Sequence, residues 1–101
     1  MEKVYSIDEI KGILNPIFIA NAVYKATLFG SYAKGIATEK SDIDIVIDSK
    51  GELLNINFYG LLEEVIGVLK KKVDLLEISE IKKDSQIYRE IEREGILLYA
   101  K

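Results

Sequence analysis

Residues 28–48 read Leu28-Phe29-Gly30-Ser31-Tyr32-Ala33-Lys34-Gly35-Ile36-Ala37, a polar link Thr38-Glu39-Lys40-Ser41, then Asp42-Ile43-Asp44-Ile45-Val46-Ile47-Asp48. This order predicts a strand, a glycine-bounded turn opening into a helix, and a second strand that begins with acids. Asp42 and Asp44 are two residues apart, so on a strand both side chains project from one face. Ile43, Ile45 and Ile47 then point the other way, into a core. Two carboxylates about 7 Å apart along a strand repel each other unless a cation lies between them. Hard oxygen ligands of this kind suit Mg²⁺. Gly30-Ser31, at the end of the preceding strand, offers backbone N–H groups and a hydroxyl of the kind that hold phosphate. A phosphate cradle beside metal-binding carboxylates points to nucleotide chemistry.

Working outward, the 101 residues predict one domain, 1–101, with room for a single core. A hydrophobic content of 49% and a charged content of 31% fit an ordinary globular protein. The net charge of −3 argues against nucleic acid as a direct substrate, because a sequence-independent grip on phosphate backbones needs a basic face. Without cysteine there is neither a disulfide nor a zinc-thiolate site. Without histidine, acid–base chemistry falls to carboxylate, lysine or tyrosine. The N-terminus has no basic segment followed by an apolar run. The most apolar stretch, 13–23, is interrupted by Asn15, Pro16 and Asn21 and is too short to span a bilayer. These features predict a cytoplasmic protein with no membrane partner.

Ser6 and Glu9 match a capping box ahead of Ile7, Ile10, Leu14 and Ile17 at helical spacing. Pro16 predicts a kink or restart there. Residues 24–29 suit a strand, 32–37 a short helix, and 42–48 the acidic strand. Apolar residues at 54, 58, 61, 62, 65 and 69 form one face of a helix ending in Lys70-Lys71-Lys72, read as a solvated helix end. Gly60 and Gly67 within it suggest close packing on a sheet. Residues 73–78 suit a third strand, 79–84 a loop, and 85–94 a last helix with Ile87, Tyr88 and Ile91 inward and Gly95 as its stop. Residues 96–99 add a short strand. The fold class is α/β, a small mixed β-sheet with helices packed on one face.

Asp74 lies near the start of the third strand. If that strand neighbours the acidic one, Asp74 faces the same side as Asp42 and Asp44, while Glu77, three residues on, faces away. Asp48 is in phase with Asp44 but roughly 13 Å along the strand, too distant to share an ion. Phase and distance thus select Asp42, Asp44 and Asp74 from 17 acidic residues.

Gly30-Ser31, ten residues, then Asp42-Ile43-Asp44 resembles the signature of nucleotidyltransferases of the DNA polymerase beta-like superfamily. In so short a chain, Gly30 to Gly35 with Ser41 to Asp44 is similar to the minimal nucleotidyltransferases, the MntA-type antitoxins. The resemblance covers nearly the whole chain and implies the nucleotidyltransferase fold. It implies that Asp42 and Asp44 hold two Mg²⁺ ions and that Asp74 binds the second and acts as general base. It further implies that Gly30 and Ser31 grip a nucleoside triphosphate, with ATP as donor. Lys34 is implied as a third contact to the nucleotide's phosphates; it stands where many relatives carry Arg, and a lysine is a point charge rather than a bidentate fork. The family pairs with a HEPN-domain toxin and silences it by transferring AMP to a toxin tyrosine. Val46 and Leu76, on the same face as the acids with nothing evident in the chain to cover them, suggest that a second protein completes the cleft. The alternatives are a non-catalytic module that blocks its partner sterically, or transfer to a small molecule by a homo-oligomer.

Overall fold

Ser6 opens the first helix, α1 (Ile7–Ala20), through reciprocal hydrogen bonds: the Glu9 N–H donates to Ser6 Oγ at 3.1 Å and the Ser6 N–H to Glu9 Oε1 at 2.8 Å. The structure is a computed structural model and describes residues 3–53 and 55–101. Pro16 neither breaks α1 nor restarts it. The carbonyl that loses its N–H partner belongs to Gly12, which is exposed, so water can satisfy it.

The strands are β1 (Lys25–Phe29), β2 (Ile43–Asp48), β3 (Val73–Glu77) and β4 (Ile96–Ala100), in the order β3-β2-β1-β4. The sheet is mixed: β1 is antiparallel to β2 and to β4, and β2 runs parallel to β3. A parallel pair needs a crossover, which α3 (Ile56–Leu69) supplies. Leu54, expected to open this helix, lies outside the described residues. Ala26, Leu28, Ile43, Ile45, Ile47, Val73, Leu75 and Leu98 form the core with Leu61, Val65 and Leu69 of α3 and Ile10, Leu14 and Phe18 of α1. Gly60 and Gly67 do not pack on the sheet as expected; both are exposed, with open space where a side chain would stand. Among the described residues no helix is long and apolar enough to cross a membrane.

The opposite sheet face carries the acids. There α4 (Gln86–Glu94), capped by Ser85 Oγ accepting from the Tyr88 N–H at 3.2 Å, lies along β1. Gly95 ends α4 without a left-handed turn, at φ −65°. It is required by close approach instead, since a Cβ there would stand 2.7 Å from Thr27 Cγ2 and 2.4 Å from the Ile91 carbonyl oxygen. This packing corrects three expectations. The helices do not share one face of the sheet: α1 and α3 cover one and α4 the other, because α4 has its own apolar stripe to bury. Val46, expected to be uncovered, is 4% exposed because α4 and the turn after β3 close over it. Ile87, expected inward, is 45% exposed, since only the Tyr88–Ile91–Gly95 stripe of this short helix meets the sheet.

Beyond β3 the expected loop begins as a 3-10 turn, Ile78–Glu80. Glu77, facing away from Asp74 as its phase requires, is buried there together with Ser49. Its carboxylate accepts from Ser49 Oγ at 2.6 Å, the Ser49 N–H at 3.1 Å and the Ser79 N–H at 3.2 Å. Ser49 Oγ in turn accepts from the Leu53 N–H at 3.1 Å, so one carboxylate ties the ends of β2 and β3 to the entry of α3. Glu77→Ala strands three donors and is expected to cost about 2–3 kcal/mol, read as a lower urea midpoint with an unchanged slope.

Candidate functional site

Gly30 starts the helix α2 (Gly30–Ala33) at φ +74°, directly against the acidic strand. A Cβ on Gly30 would come within 2.1 Å of Asp44 Oδ2 and 3.0 Å of its Cγ, so only a residue without a side chain lets the carboxyl occupy this place. The helix stops at Ala33 rather than running to Ala37. Gly35, left-handed at φ +74°, turns the chain so that its N–H reaches the Tyr32 carbonyl and the Ile36 N–H reaches that of Ser31. Ser31 is half-buried beside Asp44's strand, and Tyr32 is buried in the core rather than turned to the site.

β2 begins at Ile43, so Asp42 stands just before it rather than within it. Asp44 is paired in register with Asp74 across the parallel β2–β3 ladder, and Phe29 lies opposite on β1. Directly paired residues of a parallel ladder project to the same side. On β3 Val73, Leu75 and Glu77 are buried, while Asp74 is exposed on the acidic face. Asp44 and Asp74 therefore project side by side at one end of the sheet, beside the Gly30-Ser31 turn, and the Asp42 carboxylate is near enough to act on Asp44. Asp48 stands at the far end of β2, its Oδ1 accepting from the Lys50 N–H at 2.9 Å.

The electrostatics follow from this crowding. Burial, then the neighbouring Asp74 carboxylate, then Asp42 and Glu90, push the Asp44 carboxyl up from 3.8 to about 6. The donor set consists of hard oxygens that repel one another, and a divalent cation among them relieves the repulsion; on that ground the residues fit Mg²⁺. Among the described residues, no three Asp, Glu, His or Cys side chains stand together closely enough to hold a metal ion, so the fit rests on the chemistry of the carboxylates and not on a preformed site.

The charged groups that α4 and the end of α3 bring to the site have no signature in the sequence. Glu90 accepts from Lys34 Nζ at 3.0 Å, which raises the lysine pKa and occupies the ammonium expected to contact phosphate. Lys71 and Lys72 are not merely a solvated helix end. Lys70 caps α3 in a left-handed conformation at φ 55°. The chain then turns so that Lys71 Nζ donates to the Glu39 carbonyl at 2.9 Å and Lys72 Nζ lies 3.6 Å from Asp42 Oδ2. Beyond the acids, α4 and the sheet enclose a cleft of about 570 Å³ floored by Thr27, Val46 and Leu97 and edged by Lys25, Asp48 and Glu92.

A family model described as polymerase beta nucleotidyltransferase matches residues 12–101. A Methanocaldococcus jannaschii protein named as a protein adenylyltransferase is 39% identical over 77 residues, covering 75% of this chain and 82% of its own. Among solved structures, a toxin–antitoxin with AMP-PNP matches with a TM-score of 0.77 and 24% identity, covering 90% of this chain and 73% of the other. The complex of a tri-AMPylated Shewanella oneidensis HEPN toxin with MNT antitoxin matches with a TM-score of 0.72 and 21% identity, covering 94% and 73%. At these identities the two structures show a shared fold.

Proposed function

This chain belongs to the polymerase beta nucleotidyltransferase family, and from that premise we propose that it transfers AMP from ATP to a tyrosine hydroxyl of a HEPN-domain toxin, acting as its antitoxin. The observation that supports the chemistry is the pairing of Asp44 with Asp74 on one face, with Asp42 just before the strand and a glycine whose missing side chain makes room for Asp44. The adenylyl donor and protein acceptor are supported by the relative named as a protein adenylyltransferase, and the HEPN partner by the solved complex of a HEPN toxin with an antitoxin of like fold.

In this reading Asp42, Asp44 and Asp74 would hold Mg²⁺, which would supply positive charge against that developing on the triphosphate. Asp74, the most exposed of the three, takes the proton from the incoming hydroxyl, a role open to a carboxylate in a chain without histidine. The oxygen attacks the α-phosphorus, the bond to the β-phosphate oxygen breaks, and pyrophosphate leaves. The Gly30-Ser31 turn holds the triphosphate through backbone N–H groups and the Ser31 hydroxyl. Lys34, held by Glu90, orients α4 over the site rather than gripping phosphate.

Incubation of the protein with Mg²⁺, ATP and a HEPN-domain toxin from the same organism tests the proposal. Intact-mass measurement is expected to show the toxin gaining whole AMP units on tyrosine, with loss of its toxicity. Neutralisation that survives Asp42→Asn with Asp44→Asn, with no mass gain in the wild type, would instead identify a steric antitoxin.

A further inference from the structure

We infer that Lys72 is a nucleotide-binding residue of this site, occupying Asp42 while the site is empty and turning to the triphosphate when it fills. The inference rests on the nucleotidyltransferase reading above. Its starting point is a charge imbalance. Three carboxylates, Asp42, Asp74 and Glu90, crowd a fourth, Asp44, at this end of the sheet, Asp74 as its partner across the β2–β3 ladder. Among the described residues, two lysines are ion-paired with members of that group: Lys34 with Glu90 at 3.0 Å and Lys72 with Asp42 at 3.6 Å.

The two lysines differ in what holds them. The Lys34–Glu90 pair is short and its side chains are 38% and 24% exposed, so it joins α2 to α4. The Lys72 side chain is 76% exposed, and its pair with Asp42 is long and open to water. A pair of that kind is held loosely and exchanges partners readily. The Lys72 main chain, by contrast, is fixed: its carbonyl accepts from the Ile43 N–H at 3.0 Å, one residue after Asp42. Lys71 fixes the same corner from the other side through the Glu39 carbonyl, at the start of the link that delivers Asp42. Lys72 is therefore a mobile ammonium on a rigid base at the rim of the acid cluster.

When a divalent cation takes Asp42, the carboxylate no longer needs Lys72, and the ammonium is left beside an entering polyanion. A lysine suits this exchange because its charge is compact and its stem has four flexible carbons. The predicted consequence is a pair of opposite effects from one substitution. Removing the ammonium weakens the hold on the triphosphate but removes a competitor for Asp42.

Isothermal titration of wild type, Lys72→Gln and Lys72→Arg separates these effects, with Mg²⁺ alone and then with AMP-PNP in saturating Mg²⁺. Lys72→Gln is expected to bind AMP-PNP about tenfold more weakly, as for loss of one charge-assisted contact, and Mg²⁺ alone several-fold more tightly. Lys72→Arg is expected to remain within a few-fold of wild type on both. Unchanged AMP-PNP affinity in Lys72→Gln overturns the inference, as does a parallel loss of both affinities, the mark of a structural role. Wild-type protein that binds no AMP-PNP at all removes the nucleotidyltransferase reading and this inference with it.

Discussion

Asp44→Asn is expected to abolish AMP transfer while making the protein more stable. The catalytic loss is expected to be at least about a hundredfold, because an amide supplies neither the charge nor the second oxygen ligand that a metal-held triphosphate requires. The gain in stability comes from the same crowding. Burial and the neighbouring Asp74, Asp42 and Glu90 raise the Asp44 carboxyl from 3.8 to about 6, so at neutral pH its charge opposes folding. A shift of that size corresponds to about 3 kcal/mol at full strength. Asp44 is half-buried, and solvent screening reduces this to about 1–2 kcal/mol, or roughly 5 °C or more in Tm for a domain of this size.

The sign fixes the pH dependence. The folded protein holds the Asp44 proton more tightly than the unfolded chain does. The stabilising contribution is therefore complete below 3.8 and disappears as pH rises through about 6. Wild type without metal is expected to gain stability between pH 8 and pH 5 from this group, and Asp44→Asn to lack that gain. Mg²⁺ should raise the Tm of wild type at pH 8 and leave the variant nearly unmoved. Denaturation of both proteins at the two pH values, with and without Mg²⁺, measures each effect. A variant less stable than wild type at pH 8 contradicts the account.

What could be read from the chain was whatever strand periodicity governs. The alternation of Ile43, Ile45 and Ile47 with acids fixed the face of Asp44, and Val73 and Leu75 fixed that of Asp74. The register that pairs Asp44 with Asp74 follows once β2 and β3 are neighbours. Placement of α4 was not legible in the same way. The Tyr88–Ile91 stripe shows that one side of the helix is buried, but not which sheet face receives it, so the cover over Val46 has no signature in the sequence. Lys72 and Asp42 are 30 positions apart, and Lys34 and Glu90 are 56; such pairs depend on topology and leave no local pattern. Glu77 was assigned the correct face, yet its burial depends on Ser49 and Ser79 supplying donors from outside the strand. Charge alone would have placed it in water.

Gly30→Ala is expected to separate folding from function in the opposite sense to Asp44→Asn. The left-handed φ of +74° costs a residue with a side chain about 1 kcal/mol, and the contact with Asp44 adds to it. Asp44 Oδ2, 2.1 Å from the new methyl, is the end of a rotatable side chain and can swing away, so the total cost is expected to stay near 1–2 kcal/mol and the protein to remain folded. That swing is what damages the site. On the proposed metal-dependent reading, a carboxylate displaced by about an ångström from its place beside Asp74 would lose its share of the metal, and displacements of this size lower rates by about a hundredfold. Circular dichroism should therefore show a native fold with a slightly lower Tm, while transfer to the toxin falls nearly as far as in Asp44→Asn. Mg²⁺ titration of Gly30→Ala identifies the cause: affinity should fall with the rate if displacement of Asp44 is responsible. Wild-type Mg²⁺ affinity together with lost activity would instead place the damage at the phosphate-binding backbone of the turn.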